Sequence, residues 1–242
     1  MAELTVASWN ILLDKRYPQE ERINDIIGTL KEVDRVHKLG ALGIMEAQDT
    51  PYGHSGQMIA QALFGNEGGW LRHSRKAQQE HIGMAGPSIE SVDFIPLGHS
   101  KVAALARVDN VVIATVHLRK KRGPEQLDQA EALLERLEDE PRAVLMGDFN
   151  GERLQKPRRK IHKQGYSSVF TELGMRRRRT VPTKEFKGMS STLERLGMFV
   201  IRGGVNVDDI YVKGVGVTDA GYFEGLSDHL GTWATLDIEE AA

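Results

Sequence analysis

Eight polar side chains stand where apolar, strand-like runs end: Asn10, Glu46, His117, Asp148, Asn150, Asp208, Asp228 and His229. The four carboxylates suit a hard divalent cation, the two imidazoles suit proton transfer or contact with a phosphate, and the two carboxamides suit hydrogen bonds to non-bridging oxygens. Together they are the parts of a metal-assisted hydrolysis of a phosphate ester. The most informative end is Met146-Gly147-Asp148-Phe149-Asn150, which closes the apolar run from Ala143 to Met146. Alternate side chains of an extended chain share a face, so Asp148 and Asn150 are expected to project together. Any one such end is ordinary turn chemistry. Their recurrence along the chain is what points to a site.

The elements that must carry these groups follow from periodicity. Residues 4 to 13 are expected to form a strand with Leu4, Val6 and Ser8 on the face that Asn10 continues. An amphipathic helix is expected over residues 20 to 38, with Ile23, Ile26, Ile27, Leu30 and Val33 as its stripe and Gly40 after it. Ala41 to Met45 predicts a short strand ending in Glu46. Ser55 is placed to cap a helix whose apolar side holds Met58, Ile59, Ala62 and Leu63, with a stop at Gly65. Short strands are expected around 82 to 85 and 88 to 95. Val102 to Val108 and Val111 to Leu118 predict a hairpin turned at Asp109-Asn110, with His117 near its end. A helix starts at Pro124, with Leu127, Ala130, Leu134 and Leu137 on one side. It leads to the strand before Asp148. Val205 to Val212 and Thr232 to Ile238 complete the strand-like runs. Neither a repeat nor a linker divides the sequence, so one domain over residues 1 to 242 is expected.

Composition narrows the chemistry. The 242 residues are 40% hydrophobic and 27% charged, which describes an ordinary globule with a generous core. There is no cysteine, so disulfides, thiol catalysis and thiolate metal sites are all excluded, and a metal must be held by oxygen or imidazole. No apolar run approaches the roughly 20 residues that span a bilayer, and the first residues lack a basic leader pattern. A cytoplasmic protein without a membrane span, and a monomer, are the simplest expectations. Charge is unevenly spread. Residues 151 to 180 hold ten basic side chains against two acids, leaving this segment near +8 and the remainder near -10. Such an asymmetry suits a local surface that faces a polyanion. Its densest part is Arg176, Arg177, Arg178 and Arg179.

With these groups in place, the sequence resembles the endonuclease/exonuclease/phosphatase superfamily, which includes AP endonucleases, deadenylases, tyrosyl-DNA phosphodiesterases, sphingomyelinases and inositol polyphosphate 5-phosphatases. The matching motifs run in the family's order: Ser8-Trp9-Asn10, the strand ending in Glu46, Val116-His117-Leu118, Gly147-Asp148-Phe149-Asn150, Asp208 before Ile210-Tyr211-Val212, and Ser227-Asp228-His229. The fold that the resemblance implies is a four-layer α/β sandwich, two mixed sheets face to face with helices outside, with the site at one end. It also implies Glu46 as the principal Mg²⁺ ligand, Asn10 beside it and Asp228 completing the site, with Mn²⁺ an acceptable substitute. Asp148 would orient the attacking water or hold a second metal. Asn150 and His117 would contact the phosphate, and Asp208 would hold His229, the general base or electrostatic clamp.

Three departures stand out. Met45 occupies the place of a glutamine before the metal-binding glutamate, which removes a hydrogen bond. Asn206-Val207 replaces the usual Arg-Ile, and the doubled acid makes Asp209 a rival to Asp208, although Asp208 keeps the register of Ile210-Tyr211-Val212. Leu230-Gly231 follows His229 where many members place a proline. The expected substrate is DNA or RNA, read by the basic segment, with His54 in the glycine-containing loop after Glu46 as a further contact. The same chemistry on a lipid or small-molecule phosphate ester is the alternative. A non-catalytic nucleic-acid binder would be expected to have lost some of these acids or His229.

Overall fold

The computed structural model describes residues 2–11, 19–47, 55–65, 71–74, 80–119, 124–151, 155–181, 206–227 and 229–239. His54 and Asp228 therefore lie outside the described residues, and for Glu46 only the backbone is described.

The first sheet is built from β1 (Glu3–Asn10), β2 (Leu39–Ala47), β3 (Leu71–Ser74) and β4 (Glu80–Ala85), with α1 (Gln19–His37) and α2 (Ser55–Phe64) between them. The second takes β5 (Asp93–Gly98), β6 (Lys101–Val108), β7 (Val111–His117), β8 (Ala143–Asp148), β9 (Ser167–Ser168) and β10 (Asp208–Lys213). Its connections include α3 (Pro124–Arg136), α4 (Lys156–Lys163) and α5 (Val169–Glu172). The chain then returns to the first sheet with β11 (Gly216–Phe223) and β12 (Gly231–Asp237). The orders are β11-β12-β1-β2-β4-β3 and β5-β6-β7-β8-β10-β9.

Burial alternates along the strands and assigns each face. Leu4, Val6, Ala41, Ile113, Val144, Met146, Ile210 and Ala234 pack together between the sheets. The odd residues of β1 face outward, where Ala7 and Trp9 meet Ile26, Leu30 and Val33 of α1 and Ile59 of α2. On the far side, Leu145 and Tyr211 meet Ala130, Leu133 and Leu134 of α3 and Ile161 of α4. The result is helices, sheet, sheet, helices, the expected four-layer sandwich. Within the described residues no helix is long and apolar enough to cross a membrane.

Several local expectations change. The first strand stops at Asn10 rather than residue 13, although Ile11 still donates to the Met45 carbonyl at 2.9 Å. Residues 88 to 92 are not a strand. Ile89 closes a turn onto the Gly86 carbonyl, and β5 begins only at Asp93. Because β5 is an edge strand it accommodates Pro96, whose missing N–H would break an interior ladder. Met58 is exposed rather than core-facing, because the buried side of α2 follows Ser55, Ile59 and Ala60. The last strand of the second sheet starts at Asp208, three residues later than the apolar run suggests.

The two sheets share a plan that creates the site. Each has a central parallel pair, β1 with β2 and β7 with β8, flanked by antiparallel strands. Parallel neighbours finish at the same edge, so Asn10 and Glu46 end together in one sheet, and His117 and Asp148 in the other. β1 and β2 pack on β8 across the core, which brings both edges to one end of the sandwich. Carboxyl ends of parallel strands are where open sheets place ligands, since the strands there leave polar termini uncovered.

Candidate active site

Asp148 is the hub. It is 1% exposed, pairs with His117 of β7 in parallel register and with Asp208 of β10 in antiparallel register. Strand spacing of about 4.8 Å therefore lines the three side chains up in one row. A glycine before it is obligatory. Gly147 has φ of +137°, and a Cβ there would stand 2.0 Å from the Val116 carbonyl oxygen.

The row is joined to the other sheet by Asn10, whose Nδ2 donates to Asp148 Oδ2 at 3.0 Å. The same oxygen has His117 Nε2 at 3.6 Å and His229 Nδ1 at 3.9 Å. His229 makes its short contact elsewhere, Nδ1 to Asp208 Oδ2 at 2.8 Å. A carboxylate only accepts, so the Nδ1 proton lies toward Asp208 and Nε2 is the nitrogen able to accept a proton. Asp209, one residue on, points to the opposite face of β10, where it takes the Ser168 hydroxyl at 2.7 Å. Strand alternation thus settles which aspartate meets the imidazole.

Asn150 is reached differently from the extended reading. The strand ends at Asp148, and Asn150 adopts a left-handed conformation with φ of 47°, which asparagine tolerates better than most residues. Its backbone N–H donates to Asp148 Oδ1 at 2.7 Å and its Nδ2 to the Leu118 carbonyl at 2.8 Å. A turn, not period-two alternation, brings it back to the aspartate.

Positioning groups surround this cluster. Ser227 Oγ donates to the Asn10 carbonyl at 2.7 Å and accepts the His229 N–H at 3.2 Å, while Trp9 Nε1 donates to the His229 carbonyl at 2.9 Å. The loop bearing His229 is thereby stapled to the end of β1. Thr180, fully buried, accepts the N–H groups of Val207 and Asp208 through its hydroxyl, both at 3.1 Å, and its carbonyl accepts the Leu230 N–H at 2.9 Å. It ties both halves of the Asp208–His229 pair. No pattern around Thr180 signals this; it simply follows four arginines. Met45, in the place where the family usually has a glutamine, makes a contact of its own, its sulfur accepting the Asp148 N–H at 3.3 Å.

Two buried atoms give the site its capacity for a metal. Asn10 Oδ1 and Asp208 Oδ1 are buried oxygens without a hydrogen-bond partner among the described residues, whereas buried polar atoms ordinarily have one. Oxygens of this kind fit a hard cation or its waters. One atom each from Asp148, Asp208 and His229 also lie within 4.8 Å of one another. In that trio Nδ1 of His229 is engaged with Asp208, so the imidazole reads as half of an acid–base pair rather than as a ligand.

The basic segment is less open than its composition suggests. Arg158 of α4 is fully buried and Arg177 nearly so, with Asp209 Oδ2 lying 3.7 Å from one and 3.4 Å from the other. Lys160 pairs with Glu131 at 2.9 Å. Arg178 lies over the Tyr222 ring, and its N–H donates to the tyrosine hydroxyl, whose pKa burial pushes up to about 12. Arg176, Arg178 and Arg179 are exposed.

No protein-family model matches the chain, and no curated protein matches it. Solved structures do. An endonuclease/exonuclease/phosphatase from Bacteroides vulgatus is 15% identical, with 99% of this chain and 100% of that one aligned at a TM-score of 0.70. D. rerio TDP2 complexed with a single-strand DNA product is 16% identical over 98% and 100% of the two chains, with a TM-score of 0.68. The mannosyl-6-phosphatase of Bacteroides thetaiotaomicron is 14% identical over 96% and 99%, with a TM-score of 0.66. The chain has the fold of the endonuclease/exonuclease/phosphatase proteins.

Proposed function

We propose that the chain is a divalent-metal-dependent phosphoric ester hydrolase and that its substrate is a nucleic-acid phosphodiester. The observation that carries this reading is the Asp208–His229 pair set beside the Asn10–Asp148 bridge, where strand ends of both sheets meet. Glu46, Asn10 and Asp228 would hold Mg²⁺ or Mn²⁺, with Asp148 available to a second ion. A bound cation supplies Lewis-acid charge that offsets the repulsion between an anionic ester and hydroxide. Asp208 keeps His229 in one tautomer, and Nε2 accepts the proton of the attacking water or clamps the phosphate. Asp148 orients that water. His117 and the second amide proton of Asn150 contact the phosphate.

The nucleic-acid part is supported by where the arginines are tethered. Thr180 bonds both Asp208 and Leu230, so the exposed Arg176, Arg178 and Arg179 lie in the segment that leads directly into a residue tethered to the site. The fold is also shared with TDP2 complexed with a DNA product. A second reading, a small-molecule or lipid phosphate ester, is favoured by the inward placement of Arg158 and Arg177, which shrinks the exposed phosphate footprint.

End-labelled single- and double-stranded DNA and RNA oligonucleotides, incubated with Mg²⁺, test the proposal, with EDTA and His229→Ala as controls. Cutting that needs the metal and is lost in His229→Ala supports a nuclease. Intact oligonucleotides alongside metal-dependent hydrolysis of small phosphate esters would move the substrate to the second reading. Turnover unchanged in His229→Ala would overturn the mechanism.

A further inference from the structure

Asp208 begins β10, and the two residues before it belong to no strand. Their backbone groups must still find partners, since they are mostly buried. Thr180 takes the N–H groups of Val207 and Asp208. The carbonyls are met by one side chain. Arg158, on α4, donates Nη2 to the Val207 carbonyl at 2.9 Å and Nη1 to the Asn206 carbonyl and side-chain oxygen at 3.2 and 2.8 Å. The Val207 carbonyl also accepts the Phe149 N–H at 3.0 Å, next to Asp148. The guanidinium thus adds donors beside the last rung between the β8 and β10 ends, at the point where the chain enters the site.

Such a group is costly to bury. Arg158 is fully buried, stacked within 5.4 Å of the Phe149 ring centroid and 5.8 Å of that of Tyr211, with Asp209 as its counter-ion on the face of β10 opposite Asp208. Among the described residues, the polar contacts of Arg158 go to residues 206 to 209. We infer that Arg158 is a positioning residue for the Asp208–His229 pair, holding Asp208 in register by gripping the two carbonyls before it. A lysine cannot reproduce the grip, because only the planar fork presents donors to two carbonyls and a carboxylate at once. This role rests on the proposed function of the pair and reaches past it, since Arg158 touches none of the groups assigned to the reaction.

The test uses the full chain with Arg158→Lys and, in case that variant fails to fold, Asn206→Ala, which removes the side-chain oxygen that Nη1 meets at 2.8 Å together with the amide that donates to the Arg178 carbonyl at 2.7 Å. Two readouts separate the claims. The first is the downfield proton resonance of the His229 Nδ1–H···Asp208 bond, assigned by its loss in His229→Ala and read without any substrate. It is expected to broaden or shift in Arg158→Lys and, less, in Asn206→Ala. The second is kinetic. A misplacement of about 1 Å costs on the order of 100-fold in rate, so kcat is expected to fall roughly 10- to 100-fold in Arg158→Lys while KM stays within about twofold. A folded Arg158→Lys with an unchanged resonance and unchanged kcat would refute the positioning role, as would a loss confined to KM. If Arg158→Lys does not fold, Asn206→Ala with wild-type resonance and kcat refutes it. Failure of the hydrolase reading shows up separately, as no metal-dependent turnover of any phosphate ester by the parent chain, and leaves the resonance test standing.

Discussion

Replacing Gly147 with alanine tests the geometry on which the whole cluster hangs. At φ of +137°, the new Cβ would sit 2.0 Å from the Val116 carbonyl oxygen, and real Cβ atoms do not come closer than about 3.0 Å. The oxygen cannot simply retreat, because Val116 and Gly147 are partners in the β7–β8 ladder. Either the residue leaves its conformation, at about 1–3 kcal/mol of backbone strain, or the ladder opens and loses a bond worth about 1 kcal/mol. A loss of roughly 1–3 kcal/mol corresponds to about 2–12 °C in Tm for a chain of this size. Thermal unfolding followed by circular dichroism measures it. The displacement is handed directly to Asp148, so turnover should fall further than stability alone explains. A variant melting within about 2 °C of the parent would show that the strand end is not constrained as argued.

Asp148→Asn keeps the shape of the hub and removes its charge, and it should reduce turnover at least about 100-fold with little change in melting temperature. Wild-type rates in a folded variant would remove Asp148 from the mechanism. Thr180→Val, nearly the same volume, leaves the Val207 and Asp208 N–H groups without an acceptor, for a loss of about 2–4 kcal/mol; Thr180→Ser should recover most of it, and urea titration of the pair decides the matter. If nucleic acid binds at the arginine rim, Arg176→Ala and Arg179→Ala should each lower the slope of log affinity against log salt by roughly 0.7–0.9. Slopes that do not change would place the polyanion elsewhere.

The strand ends are legible in the sequence because each obeys a local rule. Apolar alternation predicts the strand, and a carboxylate or amide at its end cannot be core. That logic locates Asn10, His117, Asp148 and Asp208 at strand ends from residue types and spacing, whereas the preference for Asp208 over Asp209 comes from the family register of Ile210-Tyr211-Val212; strand alternation places the two on opposite faces. The positioning groups obey no local rule. Thr180 acts through its hydroxyl and its carbonyl, and Met45 through its sulfur, on partners at least 27 and 103 residues away. Arg158 falls within a basic run that looks solvated, because charge composition cannot distinguish a guanidinium facing water from one that caps two carbonyls. Asn150 departs from expectation for a related reason. The left-handed turn that carries it depends on a bond to Asp148 Oδ1, so the alternation of an extended chain ends one residue too early for it.

The position of β1 has a consequence for the order in which the molecule can be assembled. This strand, first in the chain, lies between β2 and β12, and its register with the latter runs from Glu3 with Asp237 to Ser8 with Thr232. During synthesis β1 therefore waits with one edge unsatisfied until the last strand emerges. His229 arrives only two residues before that strand, and its backbone is held by Trp9 and, through Ser227, by Asn10. The pairings that close the first sheet span more than 220 residues, and contacts of such long range form late and slowly. The same event that seals an aggregation-prone edge also completes the cluster, so a nascent chain carries neither a finished sheet nor a finished site until Gly231–Asp237 has emerged.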